Sequence, residues 1–178
     1  DWQVNNGRIE LLGKLPDSRV HVLTQVLKEE AAEFTAEVRL GLLNADAQQG
    51  RAGLLLGVHD PVDPDVKAAA YYGKGLSVGI AADGVAFIGD NETALPDDFD
   101  LANVKLSISG QPEGEATRLT LTAEDTNGTQ ASVDYLYSET MRGLVSLFNR
   151  SEEAGRFWFD DLALSGPKVQ PKEENTFG

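Results

Sequence analysis

The stretch GLSVGIAADGVAFIGD, residues 75–90, carries the clearest structural signal in the chain. An Asp-Gly pair between two apolar runs is typical of a β-hairpin, because a type I′ turn needs positive φ at both of its central residues. A two-residue turn at Asp83-Gly84 pairs Ile80 with Phe87 on one face of the hairpin. The pattern and the turn agree, so we predict a hairpin in this register.

Alternation of apolar and polar residues, typical of strands, recurs along the rest of the chain. We predict strands at the opening stretch and at residues 19–27, 33–43, 51–59, 104–110, 117–125, 131–138, 143–150 and 156–166. Turn signals recur about every 8–15 residues, and short strands at such spacing indicate a sandwich or barrel rather than alternating βαβ units. A short helical turn is predicted around residues 66–71.

A second hairpin, residues 117–138, has a register that depends on the length of its loop. A two-residue Asn127-Gly128 turn places the leucines of the first strand beside Asp134 and Leu136. A three-residue loop at 126–128 places them beside Val133, Tyr135 and Tyr137, because a slip of one residue reverses every side chain. We predict the longer loop, with Gly128 left-handed in a bulge, since it collects the apolar groups. Tyr135 and Tyr137 then belong to the core rather than to a sugar-binding platform.

Composition excludes several classes of function. The 178 residues suit one domain with a substantial core. The chain has no Cys, which excludes a disulfide framework, a thiol nucleophile and a thiolate metal site. A formal net charge of −14 argues against nucleic acid and anionic membranes as partners. No apolar run approaches the roughly 20 residues of a membrane span.

The two ends of the chain suggest a piece of a longer or processed protein. The first residue is Asp1 rather than Met, and the last stretch, PKVQPKEENTFG, is rich in Pro and charge. We therefore predict one domain over residues 1–167, followed by a linker or tail over residues 168–178.

The stretch RFWFDDLALSG, residues 156–166, is the predicted last strand of the domain. Strand alternation sends Asp160 and Asp161 to opposite faces, so they cannot form a catalytic pair unless a bulge intervenes. Leu162 and Leu164 indicate that Trp158 and Asp160 face the core. Phe157 and Phe159 then face outward and need a cover such as a neighbouring domain. The alternative is a bulge that returns one of these phenylalanines to the core.

The loop at residues 59–75 is the predicted ligand site. It is long, and long loops on rigid sandwiches often carry function. Aromatic rings can stack on sugars while acidic and basic groups bind hydroxyls. The candidate ligand-binding residues are Tyr71, Tyr72, His59, Asp60 and Lys74. The alternatives are a tyrosine that plugs the end of the sandwich and a His59 that is hydrogen-bonded at a strand terminus.

The order of these segments resembles the concanavalin A-like jelly rolls, especially laminin G-like domains. The resemblance runs from DWQVNNGRIE through EFTAEVRL, AGLLLGV and LSVGIAADGVAFIG to GLVSLFNR and FWFDDLALSG. It implies an all-β fold, a two-sheet antiparallel jelly-roll sandwich. It also implies a candidate cofactor, a structural calcium ion held by Asp160 with backbone oxygens near residues 5–7. We favour the alternative that Asp160 is bound by backbone N–H groups or Arg.

A second, narrower resemblance involves RFWFDDLALSG and the later ENTFG. These stretches are similar to the N-terminal region that precedes PhoD-type metallophosphatase domains in exported bacterial proteins. It implies an exported protein, in the periplasm, on the cell surface or secreted. None of that family's His- and Asp-rich metal motifs occurs here, so no catalytic residue is assigned.

The function that the resemblance implies is a non-catalytic accessory domain of an exported bacterial hydrolase, namely a phosphatase. Its expected partner is a carbohydrate or the protein's own C-terminal domain. One alternative is a glycosidase-like hydrolase using carboxylates at the rim, which needs two acids facing one cleft. The E-x-D-x-E pattern of jelly-roll glucanases is absent. The other alternative is a purely structural spacer.

Overall fold

A computed structural model of the chain describes residues 2–5, 7–11, 17–59, 74–150 and 155–171. The described residues form strands and connecting turns, with no helix. In chain order the strands are β1 (Trp2–Asn5), β2 (Arg8–Leu11), β3 (Asp17–Leu27), β4 (Phe34–Leu42), β5 (Arg51–His59), β6 (Lys74–Ala81), β7 (Val85–Ile88), β8 (Asn91–Ala94), β9 (Val104–Glu113), β10 (Ala116–Asp125), β11 (Gln130–Tyr137), β12 (Gly143–Arg150), β13 (Phe157–Ser165) and β14 (Val169–Pro171). The predicted helical turn at 66–71 lies outside the described residues.

The strands form two antiparallel sheets of seven strands each. The first sheet has the order β1-β2-β13-β4-β9-β10-β11, and the second has the order β14-β3-β12-β5-β6-β7-β8. Half of the neighbouring strand pairs join strands that are not consecutive in the chain, as expected of a jelly roll rather than a meander. The predicted all-β jelly-roll sandwich is therefore confirmed.

The main core lies between the two sheets and is built by alternating side chains. In β4, for example, Phe34, Ala36 and Val38 are buried, whereas Thr35 and Glu37 are only half-buried. Inward residues of both sheets join one apolar cluster. Inward-facing residues 54 and 56 of β5 and 145 and 147 of β12 contribute to it from the second sheet.

A second, smaller apolar cluster lies on the other face of the second sheet. We call it the outer cluster, and its members are Leu55, Val58, Phe87, Leu144 and Phe148. The rings of Phe87 and Phe148 pack edge to face, with centroids 6.4 Å apart. The central strands of this sheet are therefore buried on both faces, which explains why β5 reads as a nearly continuous apolar run.

The hairpin of β6 and β7 has a different register from the predicted one. Its loop has three residues, 82–84, and Ile80 pairs with Ala86 while Gly79 pairs with Phe87. Only Gly84 in this loop has a positive φ, of 94°. Ile80 therefore faces the main core and Phe87 faces the outer cluster. The prediction of a two-residue turn was wrong, because both faces of this hairpin accept apolar side chains.

The hairpin of β10 and β11 has the predicted register. Its loop has three residues, Leu119 pairs with Tyr135, and Leu121 pairs with Val133. Gly128 has a φ of 83°, the left-handed conformation expected of a bulge. Tyr135 and Tyr137 are half-buried against the main core, as predicted.

Strand β13 contains a bulge that changes which of its residues face inward. The register against β4 shifts between Asp160 and Ala163, so that one extra residue is inserted. Before the bulge, Phe157 and Phe159 are 0% and 1% exposed and belong to the main core. After the bulge, Leu164 faces the same core. The prediction that both phenylalanines face outward was wrong. The alternative of a bulge in this strand is confirmed, although both rings rather than one lie in the core. These rings therefore give no support to a domain docked over them.

The beginning of the predicted tail is held on the second sheet. Val169 pairs with Leu27, and Lys168 is 1% exposed. The Lys168 ammonium donates a hydrogen bond of 2.7 Å to the carbonyl oxygen of Glu30. Burial lowers the pKa of this lysine, because the charged form loses its hydration. The boundary between domain and linker stays a prediction, since residues 172–178 lie outside the described part.

Candidate functional site

The predicted ligand site lies largely outside the described residues. Asp60, Tyr71 and Tyr72 are not described, and of Lys74 only the backbone is placed. His59 and Lys74 are partners in the β5–β6 register, so the structure does bring these two positions together. The His59 ring places its Nδ1 atom 2.7 Å from the carbonyl oxygen of Gly57. This contact matches the expected hydrogen-bonded strand terminus; a ligand role for the five residues stays a prediction.

A surface groove lies at the opposite end of β5 and β6 from His59. Arg51, the first residue of β5, pairs with Ala81 at this end. The groove has a volume of about 460 Å³ and is formed by the β6–β7 loop and the segment after β8. We call it the turn groove. Its lining includes two exposed carboxylates and a half-buried aromatic ring, namely Asp83, Asp97 and Phe99.

Hydrogen bonds hold both walls of the turn groove in place. The backbone N–H of Leu95 donates to the carbonyl oxygen of Gly84 at 2.9 Å, which joins one wall to the other. The N–H of Leu42 donates to the carbonyl oxygen of Leu101 at 2.8 Å, which fastens the far end of the segment to β4. A groove whose walls are fixed in advance loses little conformational entropy when it binds a ligand.

Asp125 also holds the segment after β8, through a hydrogen bond from Asp100. Its carboxylate accepts three backbone hydrogen bonds, from Asp100 at 2.9 Å, Asn127 at 2.9 Å and Thr129 at 3.0 Å. These bonds, that of Asp100 first, hold the pKa of Asp125 below its ordinary value, because they favour the ionised form. Asp125 thus connects the wall of the turn groove to the β10–β11 loop. Sequence reasoning missed this role because residues 100 and 125 become neighbours only in the folded sheet.

The two carboxylates of β13 do not occupy the positions predicted for them. Asp160 is half-buried, and its Oδ1 atom accepts a hydrogen bond of 2.9 Å from the backbone N–H of Asp161. Asp161 is exposed, has a φ of 54°, and lies 3.9 Å from the Arg39 guanidinium. The prediction that Asp160 and Asp161 lie on opposite faces of the strand was wrong. The bulge, which was the stated exception, places both residues beside one cavity between the sheets.

Trp158 is buried, as predicted, but it lies outside the main core. It is 5% exposed, its partner in β4 is Gly41, and the Arg8 guanidinium lies 3.8 Å above its ring. A Cβ atom at residue 41 would overlap the indole, so the absence of a side chain there makes room for it. The cation–π contact with Arg8 and the close packing on Gly41 therefore explain the burial of this ring, and no bound ligand is needed.

Neither a group of metal ligands nor a membrane-spanning helix is found among the described residues. No three of their His, Asp and Glu side chains are grouped so that they could hold a metal ion. The calcium ion implied at Asp160 stays a prediction. No helix in the described part is long and apolar enough to cross a membrane.

Comparison with solved structures identifies the fold. The Lotus tetragonolobus seed lectin superposes with a TM-score of 0.63 at 12% identity, covering 97% of this chain and 92% of the lectin. The Bauhinia forficata lectin in complex with GalNAc gives a TM-score of 0.64 at 12% identity, with coverages of 97% and 91%. A bifunctional GH43-CE protein of Bacteroides eggerthii gives 0.59 at 12% identity, over 92% of this chain and 23% of that protein.

Sequence comparisons find no match. No protein-family model matches the chain, and no curated protein matches it. The likenesses are therefore structural. They show that the chain has the concanavalin A-like jelly-roll fold of the lectins.

Proposed function

We propose that this chain is a carbohydrate-binding domain that uses the turn groove. The observation that carries the proposal is the prearranged groove, with Asp83 and Asp97 exposed on its lining beside the half-buried ring of Phe99. Carboxylates accept hydrogen bonds from sugar hydroxyls, and an aromatic ring supplies an apolar surface for a sugar ring. The Bauhinia forficata lectin, which shares the fold, is described in complex with GalNAc.

The charge of the chain favours neutral glycans over acidic ones. The formal net charge is −14, and the described lining of the turn groove contains two acidic residues and no Lys or Arg. Sialic acids and uronic acids carry carboxylates, which like charges repel. We therefore expect neutral hexoses or N-acetylhexosamines to bind better than their acidic counterparts.

The context that we propose is an accessory domain of an exported bacterial hydrolase, a phosphatase of the PhoD type. The proposal rests on the resemblance of residues 156–166 and 174–178 to the region that precedes such enzymes. In that setting the domain binds glycan or packs on its catalytic neighbour. A cluster of metal-binding His and Asp residues in the gene beyond residue 178 would support this context, and an unrelated continuation would refute it.

A glycan array on the purified chain tests the binding proposal. Binding to neutral glycans, with at least about tenfold weaker binding of matched acidic glycans, is the expected result. Silence across bacterial and host glycans would contradict it and would favour the docking role.

Two sets of variants decide which end of the sandwich binds. Asp97→Asn should weaken binding of the best glycan by at least about tenfold, because the site loses a charged acceptor. The double variant Y71A/Y72A tests the loop at 59–75. If only the tyrosine variant loses binding, the turn groove is the wrong site and the loop is the right one. Asp46→Asn, an exposed carboxylate outside the groove, is the matched control with the same change of charge.

A further inference from the structure

A cavity between the two sheets is a second candidate site, separate from the turn groove. It has a volume of about 190 Å³. Among the described residues, its apolar lining comes from both sheets and comprises Ile9, Val20, Val38, Leu147, Phe159 and Leu162. An apolar cavity of roughly 150 Å³ holds a molecule of benzene, so this cavity has room for one aromatic ring.

The lining side chains are not all sealed into the core. Val38 and Phe159 are each 1% exposed, whereas Ile9, Val20 and Leu162 are half-buried. The cavity therefore has a closed inner end and a more open outer end. A small molecule that enters from the side of β2 and β13 would bury its apolar part against Val38 and Phe159.

The outer end of the cavity carries negative charge. Asp160 and Asp161 line the cavity beside Gly7. One oxygen of Asp160 accepts the N–H of Asp161, and the described residues supply no hydrogen-bond donor to its other oxygen. The ion pair between Asp161 and Arg39 is long, with 3.9 Å between the carboxylate oxygen and Nε of the guanidinium. The same guanidinium also donates a hydrogen bond to the side-chain oxygen of Asn103. A ligand cation would find acceptors at this point.

The backbone at the same point is strained. Asp161 is the one non-glycine residue with a positive φ in the described part of the chain. A left-handed backbone at a residue other than glycine is uncommon and tends to occur at ligand sites and switch regions. The strained residue, the bulge and the charged rim all lie at the outer end of one apolar cavity.

We propose that this cavity binds a small aromatic amine. The ring occupies the apolar space between Val38, Leu147 and Phe159, and the ammonium group lies at the carboxylates of Asp160 and Asp161. This site is independent of the turn groove, because other segments of the chain form the turn groove. The fold does not require the site either.

Titration of the isotopically labelled whole chain with three probes of similar size tests the proposal. Benzylamine should shift the amide resonances of Gly7, Phe159, Asp161 and Leu162 and raise the melting temperature by linkage. Benzyl alcohol should bind several-fold more weakly, and benzoate should bind at least about tenfold more weakly, because its charge has the wrong sign. Equal binding of benzoate and benzylamine, no binding at millimolar concentration, or shifts centred elsewhere would each overturn the proposal.

Variants separate the apolar part of the site from its charge. Ile9→Phe should fill the outer part of the cavity and abolish binding of both benzylamine and benzyl alcohol. Asp160→Asn should weaken benzylamine binding by at least about threefold while benzyl alcohol binding is retained. Asp46→Asn, which removes the same charge at an exposed distant position, should leave both unchanged. If Asp46→Asn weakens benzylamine as much as Asp160→Asn does, general charge attraction explains the binding and the proposal fails.

Calcium provides a further discriminating probe. Ca²⁺ alone should not compete with benzylamine if the site recognises an apolar amine. Displacement of benzylamine by Ca²⁺, with shifts at the same residues, would show that the rim is a metal site and would overturn the proposal.

Discussion

The hairpin of β6 and β7 and the hairpin of β10 and β11 end in the same kind of loop but differ in what covers their outer faces. Each has a three-residue loop that ends in a left-handed glycine, Gly84 or Gly128. The outer face of the second hairpin is mostly polar and in contact with water, and buried residues alternate strictly along β10. The outer face of the first hairpin packs into the outer cluster through Phe87. Alternation therefore specifies register only where one face stays in contact with water.

The largest expected effect is on the outer cluster. Phe87→Ala should lower the free energy of unfolding by about 3–5 kcal/mol, because it removes a ring that is 1% exposed and packs against Phe148. Thr120→Ala, on the outer face of the other hairpin, should cost less than about 1 kcal/mol, since Thr120 is half-buried and its hydroxyl donates to the exposed carboxylate of Asp134. Urea unfolding followed by circular dichroism measures both.

Similar losses of unfolding free energy in Phe87→Ala and Thr120→Ala would contradict this prediction. The outer cluster would then contribute no more to stability than the outer face of β10 and β11. A double variant of Phe87 and Phe148 adds a check, because two residues in contact should show non-additive losses.

The next effect concerns Asp125, which fastens the loop of the second hairpin to the wall of the turn groove. Its pKa in the folded state is below its ordinary value, so its contribution to stability is complete above the unfolded-state pKa. That contribution is lost as the pH falls through the folded-state pKa. Asp125→Asn should therefore be less stable than the native chain at pH 6, and its stability should fall less steeply between pH 5 and about pH 2.

Urea unfolding at a series of pH values measures this difference. Asp134→Asn is a suitable control, because Asp134 is an exposed carboxylate on the same hairpin. If both variants show the same pH dependence, the three backbone hydrogen bonds of Asp125 contribute nothing specific.

The smallest expected effect is on the two loop glycines, and it should be equal in the two hairpins. A Cβ atom at Gly84 or Gly128 meets no atom within 4 Å, so Ala at either position is penalised only by the positive φ. Each substitution should cost about 1 kcal/mol, measured as a fall in the free energy of unfolding. A much larger loss at Gly84 would indicate that the loop of the first hairpin is held by contacts that the second lacks.

The sequence predicted the fold class and most strands because these depend on local patterns. The bounds of β5 and β12, 51–59 and 143–150, agree with the structure residue for residue. The register of β10 and β11 followed from the positions of Leu119 and Leu121, since only the three-residue loop placed both beside apolar partners alone. Such patterns report which face of a strand is covered, and they are informative when one face is covered and the other is not.

The predictions that failed concern residues whose environment is set by distant strands. Phe157 and Phe159 face the same core as Leu164 because a bulge between Asp160 and Ala163 inserts one residue and shifts the alternation of side chains. Strand periodicity counted from Leu162 and Leu164 cannot reveal an inserted residue. The turn groove was missed for a related reason, because the segment that forms one of its walls is held by hydrogen bonds with Leu42 and Asp125, which are distant in sequence.

Alternation of apolar residues and the turn residues at 83–84 and 127–128 were enough to predict an all-β sandwich or barrel, because they act within a few residues along the chain. The two-sheet jelly roll was implied by the resemblance to known domains and is shown by the tertiary structure. The order of strands in each sheet, the outer cluster around Phe87, the bulge in β13 and the turn groove were decided by the tertiary structure alone. Each depends on contacts between segments that are distant in the chain, and such contacts exist only when the sheets are formed.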